Sequence, residues 1–596
     1  MPVGAKKCFS RLRSAFGSGA GLRPVPPRAL GVLVCLFTGL FITARTGAQK
    51  TRTADTLLVN GHIYTSDPAR PWAEAVAVSG DQILAVGTTK ALSAYRGEHT
   101  SVLDLQGRMA MPGIIDDHTH FLWASYGLAG VQLYGARNVA QVKQILLRYA
   151  GSHPRESWVY GAGWYYGSMW ATGLPTKGLL DEIFPKTPVS ILSEDGHSLW
   201  VNSKALAAAG ITRDTPDPTG AARGTIVRDR QSGEPTGCLE EGAKRLVLRV
   251  MQDRISQDEK FRRLHLGLDF ANRHGITGVI NATGDAAEMD LYEQLHQRGE
   301  LTVRTTTSFA EDVGVRHTLS REELADFESA RQRFHDDWVR AGVIKFFADG
   351  VIETHTAAML APYANLPGEK GNTLYTPEEF KQYFLELDRR GFQVMTHAIG
   401  DGAVRTVLDA YEAVEKQNGP RDRRWRIEHM ETVAIADRAR LARLHVIAAF
   451  QPWCCPQPGE PWADNIGPER LSEGIPWQDV VSPGATLSLG SDWPVESLDP
   501  FPIIQMGITR QSHQGKPPGG FFPGQRLTLE QMLAGYTRNN AYTEFMEKRL
   551  GTLEPGKLAD VIVLSQDLYK TPPQEVGRTK VLLTMVGGRI VWRSGI

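Results

Sequence analysis

The sequence is poor in cysteine, balanced in charge and without a long apolar run. Five cysteines in 596 residues, of which Cys238, Cys454 and Cys455 lie beyond the first fifty positions, provide no disulfide framework. Vicinal Cys454 and Cys455 read as loop packing rather than chemistry. Lys+Arg and Asp+Glu both number 66, so there is no basic field to hold nucleic acid and no acidic tail. The most apolar stretch, "ALGVLVCLFTGLFIT", runs for about 15 residues, short of the ~20 that a membrane-spanning helix needs. Beyond it there is no low-complexity segment or solenoid repeat. What remains is an ordinary globular composition, 42% hydrophobic and 22% charged, in a chain long enough for a large core and more than one domain.

The first fifty residues stand apart. Lys6, Lys7, Arg11, Arg13, Arg23 and Arg28 precede the apolar stretch, and the small residues of "ARTGAQ" follow it. Basic region, apolar region and small-residue exit read as a secretory signal over residues 1–48, which places the mature protein outside the cell or in the periplasm. An uncleaved N-terminal anchor is the alternative. Val34 before Cys35 does not suit a lipoprotein site.

Residues 54–113 alternate in short runs ("TLLVNGHIYT", "EAVAVSGDQILAVG") broken by turn dipeptides, the pattern of a small β-domain. Residues 551–596 repeat it in "ADVIVLSQD" and "KVLLTMVGGRIVW", so the two chain ends are expected to form one β-sandwich. Between them, in 114–550, eight apolar runs alternate with helical stretches: "AMPGIID", "TGVINA", "TVRTTTSF", "VIKFFA", "FQVMTH", "WRIEH", "VIAAFQ" and "TLSLGSD". "PEEFKQYFLELDRRG" starts near Pro377 and stops at Gly391, and "DGAVRTVLDAYEAVEKQ" places Asp401 as its N-cap. Eight strand–helix repeats predict an α/β fold, a (β/α)₈ TIM barrel. About 150 residues separate the first two strands, too many for one crossover, so 131–250 is read as an inserted subdomain.

Side chains that do chemistry on such a barrel sit at the C-terminal ends of its strands. Those positions hold His118 and His120 on the first strand, Lys345 on the fourth, His397 on the fifth, His429 on the sixth and Asp492 on the eighth. Residues two apart on a strand share a face, so His118 and His120 can reach one ion, and imidazole with carboxylate suits zinc and similar ions. Each residue alone has a plain reading as a cap or core residue. Six together at one mouth do not. Lys345 lies inside an apolar run, where a bare ammonium is costly; it must pair with an acid such as Asp349 or lose its charge. Glu428, next to His429, is read as facing away in a structural role.

"MPGIIDDHTH", "VIKFFADG", "MTHAIGDGA", "RIEHMETV" and "LGSDWPV", in that order, resemble the metal-dependent amidohydrolase superfamily. The Trp-rich insertion and "FADGVIETHTAAML" resemble its YtcJ-like branch, which includes enzymes such as N-substituted formamide deformylase. The resemblance implies a first metal on His118, His120 and Asp492, a second on His397 and His429, and a carbamate on Lys345 bridging them, with two zinc ions per chain. It also implies hydrolysis of a C–N bond other than a peptide bond, in a small-molecule substrate. A metal-activated hydroxide attacks, and Asp492 acts as general base and then acid. From the insertion, Trp164, Tyr165, Trp170 and His197 are candidates for the substrate wall, with packing of the subdomain as the plainer reading. The aromatic density leans towards an apolar or aromatic amide rather than a highly charged one. A mononuclear deaminase or cyclic-amide hydrolase on the same barrel, and a non-catalytic metal-binding scaffold, are the competing readings. No stable membrane partner is expected beyond the N-terminal segment, and a homodimer stays open.

Overall fold

Eight parallel strands make the centre of the computed structural model: β1 (Ile114–Thr119), β2 (Ile276–Gly284), β3 (Arg304–Phe309), β4 (Val339–Phe347), β5 (Gln393–Ala398), β6 (Arg426–His429), β7 (Ile447–Phe450) and β8 (Leu487–Leu489), hydrogen-bonded in sequence order. All eight expected strands are present. The ring closes between its first and last members: the Asp492 amide donates to the His118 carbonyl (2.7 Å) and the His120 amide to that of Trp493 (2.8 Å). Described are residues 52–596 apart from 168–169, 171–172, 221–222, 253, 311–314, 453–454 and 456–459. The expected signal over 1–48 and Cys454 lie outside them. Among the described residues no helix is long and apolar enough to cross a membrane.

The strands alternate in a way that separates core from site. On β4, Ile344 and Phe346 face outward into the large cluster shared with the surrounding helices, whereas Val343 packs inside with Ala282 and Met395. Lys345 takes the inward register. Helix α1 (Pro377–Arg389) begins with a capping box from Thr376 and Glu379, which satisfies two of the free amides at its start. Helix α2 (Asp401–Asn418) corrects the sequence reading by one residue. Its N-cap is Gly400, and the Asp401 carboxylate instead accepts the Leu360 amide (2.8 Å).

A six-stranded sheet within 131–241 forms the inserted subdomain, with Val131–Gln132 at one edge and Gly224–Arg228 at the other. The chain ends build two further sheets. One is made from Thr56–Val59, Ala75–Ser79, Gln82–Gly87 and Ser101–Asp104. In the other, Val561–Leu564 runs antiparallel to Met109–Pro112, so both termini share one sheet. Their facing sides bury Leu58, Ile63, Val76, Val561, Val563 and Leu583 together. Met109–Pro112 passes into β1 through Gly113, where a Cβ would lie 2.2 Å from Thr277 Oγ1; only glycine lets the sandwich strand turn into the barrel here.

Sandwich and barrel are tied by one buried ion pair. Arg304 at the start of β3 donates from Nε (2.8 Å) and Nη2 (3.0 Å) to the two oxygens of Asp560, and the Gly587 amide donates to the same carboxylate (2.7 Å). Removing one member of such a pair strands the other without water. Asp560→Asn is therefore expected to lose about 3–5 kcal/mol of stability, read from urea unfolding; a loss below ~1 kcal/mol would remove the pair from its joining role.

Candidate metal centre

The six expected ligands all reach the C-terminal mouth of the barrel. His118 is held most firmly. Its Nδ1–H donates to Glu428 Oε2 at 2.6 Å with both side chains buried, which leaves the Nε2 lone pair facing the centre. That nitrogen lies 3.4 Å from Lys345 Nζ and 3.5 Å from Asp492 Oδ1. His120 Nδ1 bonds Thr283 Oγ1 (2.7 Å), and its Nε2 is 3.2 Å from the same Asp492 oxygen. His429 Nδ1 lies 4.0 Å from Asp492 Oδ2. The His397 ring centroid is 4.5 Å from that of His429, and its Nε2 lies 3.2 Å from the Gly350 carbonyl oxygen. Gly490 permits this packing: a Cβ there would sit 2.5 Å from the His118 amide nitrogen.

Glu428 requires a correction. On β6 it does alternate with its neighbour, but the strand ends at His429, which has φ +70°. The left-handed turn swings His429 into the mouth, while Glu428 keeps the inward register and orients His118. Behind it, Arg426 Nε lies 3.0 Å from Glu428 Oε1 and its guanidinium also pairs with Asp117. Gln451 Nε2 donates to Glu428 Oε2 (3.2 Å) while its Oε1 accepts the His429 amide (3.1 Å). The sequence held a signal for this group. Arg426 and Glu428 are charged and two apart in a strand buried on both faces, the same anomaly that marks Lys345.

Electrostatics favour ligands over ions. Burial, with the positive charge of Lys345 next, holds His118 and His397 well below the ordinary imidazole range; for His429 burial and His397 come first. Neutral imidazoles are the form that binds metal. Burial also pulls Lys345 down to about 8. Asp349 does not pair with it, because that carboxylate accepts the amides of Ala358 (2.8 Å), Ile399 (3.0 Å) and Gly400 (2.9 Å). Asp492 Oδ1 is buried without a hydrogen-bond donor. An acceptor left bare among neutral imidazoles fits a divalent cation. The ligand atoms of His118, His429 and Asp492 lie within 4.8 Å of one another, a grouping that cuts across the expected division between two metals.

A cavity of about 930 Å³ opens from this centre, lined in part by Tyr165 and His197 of the insertion. His197 is buried, with Nδ1 3.0 Å from Glu241 Oε1. Glu241, though opposed by burial, pushes it up to about 9, so it is held as an imidazolium. Trp164 is not a wall residue. Its indole donates to the Ile191 carbonyl (2.9 Å) inside the subdomain core, and Trp170 donates to that of Tyr165 (2.7 Å) in the same core. Cys455, read from sequence as packing, lines the cavity and is disulfide-bonded.

The model of the amidohydrolase family matches residues 101–592. This chain belongs to the amidohydrolase family. It is 34% identical over 553 residues to Protein LONG AFTER FAR-RED 3 of Arabidopsis thaliana, covering 90% of this chain and 91% of that one. It is 28% identical to the putative amidohydrolase YtcJ of Bacillus subtilis and 27% to N-substituted formamide deformylase of Arthrobacter pascens; each match covers 90% of this chain and 98% of the relative. An uncharacterized metal-dependent hydrolase of Pyrococcus horikoshii has the same fold, with a TM-score of 0.68 at 23% identity over 87% of this chain and 99% of that one.

Loss of the Glu428 carboxylate should be felt at His118 without loss of the barrel. Glu428→Gln is expected to weaken divalent-metal affinity by roughly 10–100-fold, measured by competition with a chromogenic chelator. Unchanged affinity would show that His118 needs no partner to hold its tautomer.

Proposed function

We propose that this amidohydrolase cleaves an amide-type C–N bond of a small molecule at a two-zinc centre. The bare, buried Asp492 oxygen among three histidines and Lys345 carries the reading. His118, His120 and Asp492 would hold one ion, His397 and His429 the second, and a carbamate on Lys345 would join them. The carbamate forms when the neutral Lys345 amine bonds carbon dioxide and releases a proton, and the lowered position of Lys345 supplies that amine near neutral pH. A divalent ion bound there supplies a Lewis acid that acidifies water and polarises a carbonyl.

The chain's own groups do the rest. Asp492 takes a proton from the attacking water and gives it to the departing nitrogen, which leaves poorly until protonated. His197, anchored through Nδ1 by Glu241, turns Nε2–H towards the cavity, where it donates to the carbonyl oxygen as negative charge develops there. Tyr165 forms wall. Glu428 keeps His118 in the ligating tautomer. The N-terminal segment would direct the enzyme to the periplasm or outside.

One observation favours a one-metal variant of this reading: one ligand atom each of His118, His429 and Asp492 lie within 4.8 Å of one another. In that case Lys345 stays an amine beside a mononuclear centre.

A panel of N-substituted formamides and simple amides tests the proposal. Turnover should be lost with chelator, return with zinc, and fall about 10²–10⁴-fold in kcat for Asp492→Asn with little change in KM. No turnover by zinc-loaded protein across the panel, or an Asp492→Asn rate near the parent's, would overturn it.

A further inference from the structure

One buried histidine lies outside the barrel mouth and has no part in the chemistry above. His317 is 7% exposed. It sits in the apolar layer between the barrel and the helix Arg321–Arg333, its ring centroid 5.1 Å from that of Phe346 and 5.5 Å from that of Phe327. A polar ring in such a layer is costly unless its nitrogens are bonded. Both are. Nδ1 lies 2.5 Å from Oε1 of Glu323, in the first turn of that helix. Nε2 lies 2.8 Å from the Lys345 carbonyl oxygen and 3.1 Å from that of Phe309. A backbone carbonyl only accepts, so Nε2 carries a hydrogen and shares it between the two.

Those carbonyls mark the point where the sheet opens. The pairing of β3 with β4 ends at Phe309 and Ile344. The chain then turns towards β2, where the Ala310 amide donates to the Gly284 carbonyl (3.1 Å). Lys345 is thus the first residue of β4 past this pairing. On its other side the ladder with β5 continues, from Lys345 opposite Met395 to Phe347 opposite His397. His317 ties Lys345 back to Phe309 across the opening. It is itself firmly held: its amide donates to the Tyr375 hydroxyl (2.7 Å), and Glu323 also accepts the amide (3.2 Å) and hydroxyl (3.1 Å) of Thr318. The Lys345 main chain is therefore gripped from outside the barrel, while its side chain reaches inward to place Nζ 3.4 Å from His118 Nε2.

We propose that His317 is a positioning residue for the metal centre: it fixes the Lys345 backbone where β3 no longer does, and so sets where Nζ, or a carbamate formed on it, stands relative to His118. The proposal rests on the reading of Lys345 as a member of that centre.

Side chains that keep one nitrogen or the other separate this role from plain packing. His317→Gln puts an amide nitrogen near the place of Nε2 and retains the donor to the two carbonyls. His317→Asn is too short to reach them, and His317→Leu fills the space with no donor at all. Zinc affinity is measured for each full-length protein by competition with a chromogenic chelator, beside Lys345→Ala and the His317→Asn/Lys345→Ala double variant. His317→Asn and His317→Leu should bind zinc about tenfold or more weakly than the parent, and His317→Gln should recover most of that loss. The double variant should bind no more weakly than Lys345→Ala alone. A histidine that only packs would lower stability in urea and leave zinc affinity unchanged. Two variants without the donor guard against one failing to fold. If Lys345→Ala binds weakly while folded His317→Asn and His317→Leu bind as the parent does, or if the losses add in the double variant, the proposal alone is overturned. Parent-like affinity in Lys345→Ala would remove the lysine from the centre, and the proposal with it.

Discussion

The hydrogen bond from His118 to Glu428, 2.6 Å long and closed to water, is the contact on which the centre depends. It ties β1 to β6 across the barrel interior. It also decides which nitrogen of His118 faces Lys345 and Asp492. The carboxylate that makes it is costly to bury, and the cost is met by a chain of partners: Arg426 beside it, Asp117 beyond, and Gln451 on the remaining side. A polar group of this kind is stable only when each member is satisfied. At the centre itself Asp492 Oδ1 accepts no hydrogen bond, and it lies 3.5 Å from His118 Nε2 and 3.2 Å from His120 Nε2.

The barrel alone supplies the ligands, and the insertion and the barrel's own loops together wall the rest of the cavity. The turn before His197 is pressed onto the barrel mouth at Gly196, where a Cβ would meet the Trp123 ring at 2.3 Å, and Trp123 in turn lies 5.0 Å from His120 between ring centroids. Glu241 fixes His197 from the neighbouring strand of the insertion and also donates its amide to the His197 carbonyl (2.9 Å). Its backbone adopts φ +49° to do so, a strain that the surrounding contacts must hold. An imidazolium is thereby presented to the centre by an element separate from the one that binds the ion.

Much of this was readable in the chain. Apolar runs separated by helical stretches identify all eight strands, and the rule that barrel chemistry sits at strand ends brings His118, His120, Lys345, His397, His429 and Asp492 to one mouth. What alternation cannot foresee is where a strand stops. His429 enters the mouth because it leaves β6 in a left-handed conformation, so the neighbour thought to face away became the partner of His118. Nor can sequence separate a wall from a core within the insertion. Trp164 and Tyr165 are adjacent, yet one lies in the subdomain core and the other faces the cavity.

The most direct measurement is the metal content of mature protein purified without chelator or metal-affinity resin, beside Lys345→Ala prepared in the same way. About two divalent ions per chain in the parent and a sharp fall in the variant is the result that a bridged centre predicts. One ion per chain, unchanged in the variant, would remove Lys345 from the ligand set. No metal in either would contradict the assignment of the bare Asp492 oxygen and its histidines as a metal site.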